Sequence, residues 1–126
     1  MTRRIFVTND RGYDLGDALR HTDLPPQDAF VRITSGKPNI FDTDELLSSI
    51  MKRTRDFTEA DCILVCGSTL VSALVLALLA RRFSLLSILF FDSRSRVYVE
   101  KQVRLARGDE RDAKTNSGSA RPGSLS

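Results

Sequence analysis

The chain has 126 residues, 41% of them hydrophobic and 28% charged, with 19 Lys and Arg against 16 Asp and Glu for a net charge of +3. This is the size and composition of one globular domain, and it excludes collagen, coiled coils, repeat arrays and disulfide-rich mini-proteins. The basic excess is small and mixed in sign, which argues against a dedicated nucleic-acid binder.

Residues 4–8, RIFVT, form a short β-rich run that stops at the turn cluster Asn9-Asp10-Arg11-Gly12. Leu15 to Leu19 suggest a short helix capped by Asp14 and weakened by Gly16, and Pro25-Pro26 ends it. A second strand is expected over Phe30 to Thr34, closed by Ser35-Gly36-Lys37-Pro38.

The best-signed helix follows. Asp42 stands as N-cap with Glu45 three residues on, a capping-box spacing. Leu46, Leu47, Ile50, Met51 and Phe57 recur at helical spacing, with Lys52, Arg53 and Arg55 late, where the helix dipole favours cations. Cys62 to Cys66, CILVC, reads as a strand buried on both faces. A second strong helix spans Thr69 to Arg82, and Leu85 to Phe91 make another buried strand. After a turn at Asp92-Ser93-Arg94-Ser95, Val97, Val99, Val103 and Leu105 alternate with polar residues, the pattern of an antiparallel edge strand.

The order β-α-β-α-β-α-β-β predicts an α/β fold: a three-layer Rossmann-like or flavodoxin-like domain over residues 1–106. It has a mostly parallel sheet of about five strands and an antiparallel edge strand. Residues 107–126 contain one large apolar residue, Leu125, with four basic and three acidic residues, and read as a disordered polar tail. Nineteen uncharged residues run from Cys62 to Ala80, yet Gly67-Ser68-Thr69 divides a β-branched run from an Ala/Leu run, so strand plus helix is preferred to a membrane span. Two cysteines and no opening signal-peptide pattern point to a cytoplasmic location.

In open α/β sheets ligands bind beyond the carboxyl ends of the strands, where strand order reverses. Gly67-Ser68-Thr69, between strand and helix, offers a close backbone approach and a helix start suited to an anion, with Asn9, Gly36 and Asp92 at neighbouring strand ends. The leading expectation is therefore a domain that binds a small anionic ligand, a nucleotide or its derivative, in a sensory or accessory role, with no cofactor assigned beyond that nucleotide. The alternatives are a non-catalytic dimerisation or partner-docking module, and a nucleotide-processing enzyme using Asp10 or Asp92 as acid–base group. No G-x-S-x-G elbow is present, and the balance leans away from catalysis.

Asp10, Asp14, Asp17 and Asp92 are best read as turn and cap residues, and no metal site is assigned. In size and in its acidic residues after the first strand the chain resembles phosphoacceptor receiver domains. The third strand, however, ends in Gly67 where that family places its phosphorylated aspartate, and the comparison is set aside. His21 stands four residues after Asp17 at a helix end. Cys62 and Cys66, on one strand at about 3.3 Å per residue, lie too far apart for a disulfide. The helix Leu70 to Ala80 is Ala, Val or Leu everywhere except Ser72, so a homodimer with this helix near the interface is expected, whereas nucleic acid and membrane are not.

Overall fold

A computed structural model describes residues 3–105, so the predicted tail 107–126 lies outside the described residues. The strands are β1 (Ile5–Val7), β2 (Phe30–Arg32), β3 (Cys62–Leu64), β4 (Leu85–Asp92) and β5 (Val97–Arg104). They form one sheet in the order β2-β1-β3-β4-β5, parallel except for β5, which runs antiparallel to β4. The helices are α1 (Pro26–Ala29), α2 (Thr43–Arg53) and α3 (Thr69–Arg82), with a 3-10 helix at Gly16–His21. The α/β expectation holds, including the antiparallel edge.

β1 and β3 occupy the middle of the sheet, and every residue of both is fully buried. Side chains alternate across a strand. Phe6 and Ile63 therefore face α2 and α3, packing with Ile50, Phe57, Val75 and Leu79. Ile5, Val7, Cys62 and Leu64 point to the opposite face, against Leu15 and Ala18. Full burial of each large side chain stabilises by about 1.5–3 kcal/mol, so the α2–α3 face carries most of the cohesion.

Local chemistry sets the helix ends. The Asp42 carboxylate accepts the Glu45 N–H at 3.1 Å, and Ser68 Oγ accepts that of Val71 at 3.3 Å. At the other end of α2, the Arg82 guanidinium donates to the carbonyls of Thr54 (2.9 Å) and Arg55 (3.2 Å), tying the ends of α2 and α3 together.

The structure departs from expectation in the second layer. The element after β1 is a 3-10 helix, because Asp14 Oδ1 takes the Gly16 N–H at 3.0 Å in a local turn and caps no helix. The proline pair also begins structure. Pro26 opens α1, where its missing N–H leaves no bond unmade.

Met51 is 58% exposed, although its spacing placed it with the buried face of α2. α3 is less awkward in water than its sequence suggests. Val71, Ser72, Val75 and Leu79 face the sheet and Leu74, Leu76 and Leu78 are half-buried, so the outward positions fall largely to Ala73, Ala77 and Ala80.

Candidate functional site

Strand order reverses between β1 and β3, and the loops leaving their carboxyl ends meet there. Asn9 fills the meeting point and is fully buried. Its Oδ1 accepts the Ser68 N–H at 2.9 Å, and its Nδ2 donates to Thr34 Oγ1 at 2.9 Å and to the Gly36 carbonyl at 3.2 Å. One side chain thus holds the loops that follow β1, β2 and β3.

Thr8 reinforces this brace. Its hydroxyl accepts the Cys66 N–H (3.0 Å), donates to the Cys66 carbonyl (2.8 Å) and lies 2.9 Å from Ser72 Oγ. The hydroxyl on the inner face of α3, that of Ser72, is thereby spent on Thr8 and the Cys66 carbonyl.

The close backbone approach expected at Gly67 exists, and Asn9 makes it. Gly67 has φ +75°, and a Cβ there would lie 2.5 Å from the Asn9 carbonyl oxygen and 2.7 Å from Asn9 Cβ. Only glycine fits both the conformation and the space. Asn9, Gly36, Gly67 and Ser68 are therefore brought together, with Thr69 exposed beside them. Of the first N–H groups of α3, which lack partners within the helix, Ser68 Oγ takes that of Val71. Those of Thr69 and Leu70 make no bond among the described residues.

Asp92 stands apart from this group. Leu89 pairs with Leu64 at the end of β3, so Asp92 lies three residues further along β4, about 10 Å beyond. Its carboxylate serves its own hairpin, accepting from Ser95 Oγ at 2.7 Å and the Arg94 N–H at 3.2 Å. Asp10 accepts from the Arg32 guanidinium and, at 2.9 Å, from the Gly12 N–H. These partners hold both carboxyls below the usual range, Asp10 chiefly through Arg32 and Asp92 chiefly through Ser95, which favours the ionised form over proton donation.

His21 does not pair with Asp17. Its Nδ1 lies 3.5 Å from Glu100 Oε1, and Arg3 binds the same carboxylate. Cys62 and Cys66 are free thiols. Burial pushes Cys62 up to about 12 and raises Cys66, so neither is a thiolate nucleophile at neutral pH. Among the described residues no three His, Cys, Asp or Glu side chains converge to hold a metal ion, and no helix is long and apolar enough to cross a membrane.

The paired carboxylates give a pH dependence. Arg32 holds Asp10 low and Arg3 holds Glu100 low, so their folded pKa values lie below those of the unfolded chain. The stabilisation is complete above the ordinary carboxylate range and is lost as pH falls through the folded values. Urea midpoints should hold steady from pH 7 to about pH 5 and fall below about pH 4; a midpoint unchanged at pH 3 would contradict this.

Grooves lie elsewhere among the described residues. One, of about 310 Å³, runs between β2 and α2 and is lined by Arg32, Ser35, Ser49 and Arg53. The larger, about 920 Å³, lies between α2 and α3, with Leu47, Met51 and Leu78 in its lining and Lys52, Arg55, Arg81 and Arg82 around it. Neither is lined by Gly67, Ser68 or Thr69. Comparisons with curated proteins and with solved structures found no match. The sequence does match the family described as phage Pam3 gp32-like protein, over residues 6–105. That match takes in all of the sheet but Ile5, the Asn9 brace and both grooves, and the chain belongs to the phage Pam3 gp32-like protein family.

Proposed function

We propose that this domain binds a small anionic molecule, a nucleotide or another phosphate- or carboxylate-bearing compound, at the strand ends beside α3. The observation that carries the reading is the Asn9 brace. It fixes three loops at the point of strand-order reversal and leaves the Thr69 hydroxyl and the N–H groups of Thr69 and Leu70 for an anion. The reading places the domain in a reducing cytoplasm, in keeping with its two free cysteines.

The collision at Gly67 makes that residue a poor test, since any side chain there would damage the fold. Thr69→Glu separates the two effects. A carboxylate in the first turn of α3 favours the helix dipole but repels an anion at the same place. The variant should melt at or above the native temperature and lose calorimetric binding to nucleotides and inorganic phosphate by at least about tenfold, the repulsion expected of one added charge. Equal binding by the variant, or no binding by the native protein, would overturn the reading.

A second reading, a docking module without a small ligand, is favoured by the position of the larger groove, on the helical face and away from the strand ends.

A further inference from the structure

The groove between α2 and α3 has opposite charges at its two ends and an apolar middle. Along the outer stripe of α2 the order is Asp44, then Leu47 and Ser48, then Met51, then Arg55 just past the helix end. The i, i+3/i+4 spacing puts Asp44, Leu47, Ser48 and Met51 on one face, and Arg55 lines the same groove. Asp44, Ser48, Met51 and Arg55 are exposed, and Leu47 and Leu78 are half-buried. Neither Asp44 nor Arg55 forms an ion pair among the described residues, and neither do Lys52 and Arg81 at the basic end. Arg82 is occupied with the Thr54 and Arg55 carbonyls.

The stripe is self-complementary. A two-fold axis across α2 between Ser49 and Ile50 brings positions equally distant from that midpoint opposite each other in an antiparallel copy. Asp44 then meets Arg55, and Ser48 meets Met51. Each pair forms twice, as an isologous interface requires. The acidic first turn of one α2 lies along the basic last turn of the other, and the small Ser48 gives room for the long Met51 side chain. Met51 and the half-buried Leu47 and Leu78 leave water together. A nucleic acid would favour the basic end but leave the apolar middle and Asp44 unmatched, and the groove lining contains no aromatic ring for a base to stack on.

We infer that a second copy of this chain occupies the α2–α3 groove, its α2 antiparallel to the first about this axis, with Asp44 of each protomer paired to Arg55 of the other. The inference rests on the docking reading above and is independent of the anion reading. It moves the expected dimer contact from the outer side of α3, which is largely alanine, to the seam between α3 and α2.

Charge reversal tests both the partner and the register. Sedimentation of the full chain at tens to hundreds of micromolar, the range expected for an interface below ~800 Å² per partner, should show a reversible dimer. Asp44→Arg and Arg55→Asp should each weaken it by about tenfold or more, since like charges then face each other twice. The double variant should restore native dimerisation, which no effect on folding alone would produce. Met51→Glu, at an exposed position, should give a folded monomer. A monomeric native protein would overturn the second-copy assignment. A dimer that ignores Met51→Glu, or that the double variant fails to restore, would show that the copies meet through another surface and would overturn it equally.

Discussion

Replacing Asn9 by alanine is expected to cost about 2–4 kcal/mol of folding stability, because the Ser68 N–H and the Gly36 carbonyl lose their partner at once. For a domain of roughly 100 residues this lowers the melting temperature by about 10–20 °C. Ser68 is half-buried and Gly36 exposed, so water recovers part of the loss; the remainder comes from loops no longer tied together. Asn9→Asp keeps the acceptor but loses both donors and turns a carboxylate toward the Gly36 carbonyl, so it should be destabilised as well. Denaturation midpoints equal to native in both variants would show that the loops are held by something else.

Asp61→Ala should be at least as damaging, at the opposite end of the same strands. Asp61 is 2% exposed and accepts four hydrogen bonds: from the Arg4 N–H (3.0 Å) and guanidinium (3.2 Å), and from the Thr58 N–H (3.0 Å) and hydroxyl (3.2 Å). It locks the entry of β1 to the turn before β3, while Arg4 also lies 5.0 Å from the Phe6 ring centroid. Arg4 is half-buried and keeps the Asp56 carboxylate and carbonyl, both at 3.0 Å, so the loss comes chiefly from the orphaned Arg4 and Thr58 N–H groups and amounts to about 2–4 kcal/mol, a large share of the ~5–15 kcal/mol that holds a domain together. Asp61→Asn, which keeps the shape and one acceptor, should fall between alanine and native in urea denaturation. A loss below about 1 kcal/mol for Asp61→Ala would mean that Arg4 and Thr58 find other partners.

What the sequence made legible is whatever depends on local pattern. The CILVC run, the 3.6-residue period of α2 and the alternation after Val97 each belong to one element, and each is found at or near its expected place. The capping role of Asp42 was readable for the same reason. The element after β1 is not the expected α-helix because Asp14 and Gly16 make a turn bond that competes with helix formation.

The candidate site was half legible. Asn9, Gly36, Gly67 and Ser68 do meet, as ends of neighbouring parallel strands must. That Asn9 itself occupies the approach at Gly67 depends on side-chain geometry across 58 positions of chain, and no local pattern carries it. The only available signal was a polar pair, Thr8-Asn9, directly after a fully apolar strand. The groove was hidden for a similar reason. In the sequence Lys52 and Arg55 belong to one helix end and Arg81 to another, and only the parallel packing of α2 and α3 places those ends side by side.

The anion reading is tested most directly by following backbone amide resonances of the native protein while inorganic phosphate, then nucleoside mono- and diphosphates, are added. Saturable shifts are expected at Thr69 and Leu70, with smaller ones at Gly36 across the brace, and little change at Met51 or Leu78 in the groove. Shifts confined to the basic end of the groove, at Lys52, Arg55 and Arg81, or no saturable shift at all, would contradict it.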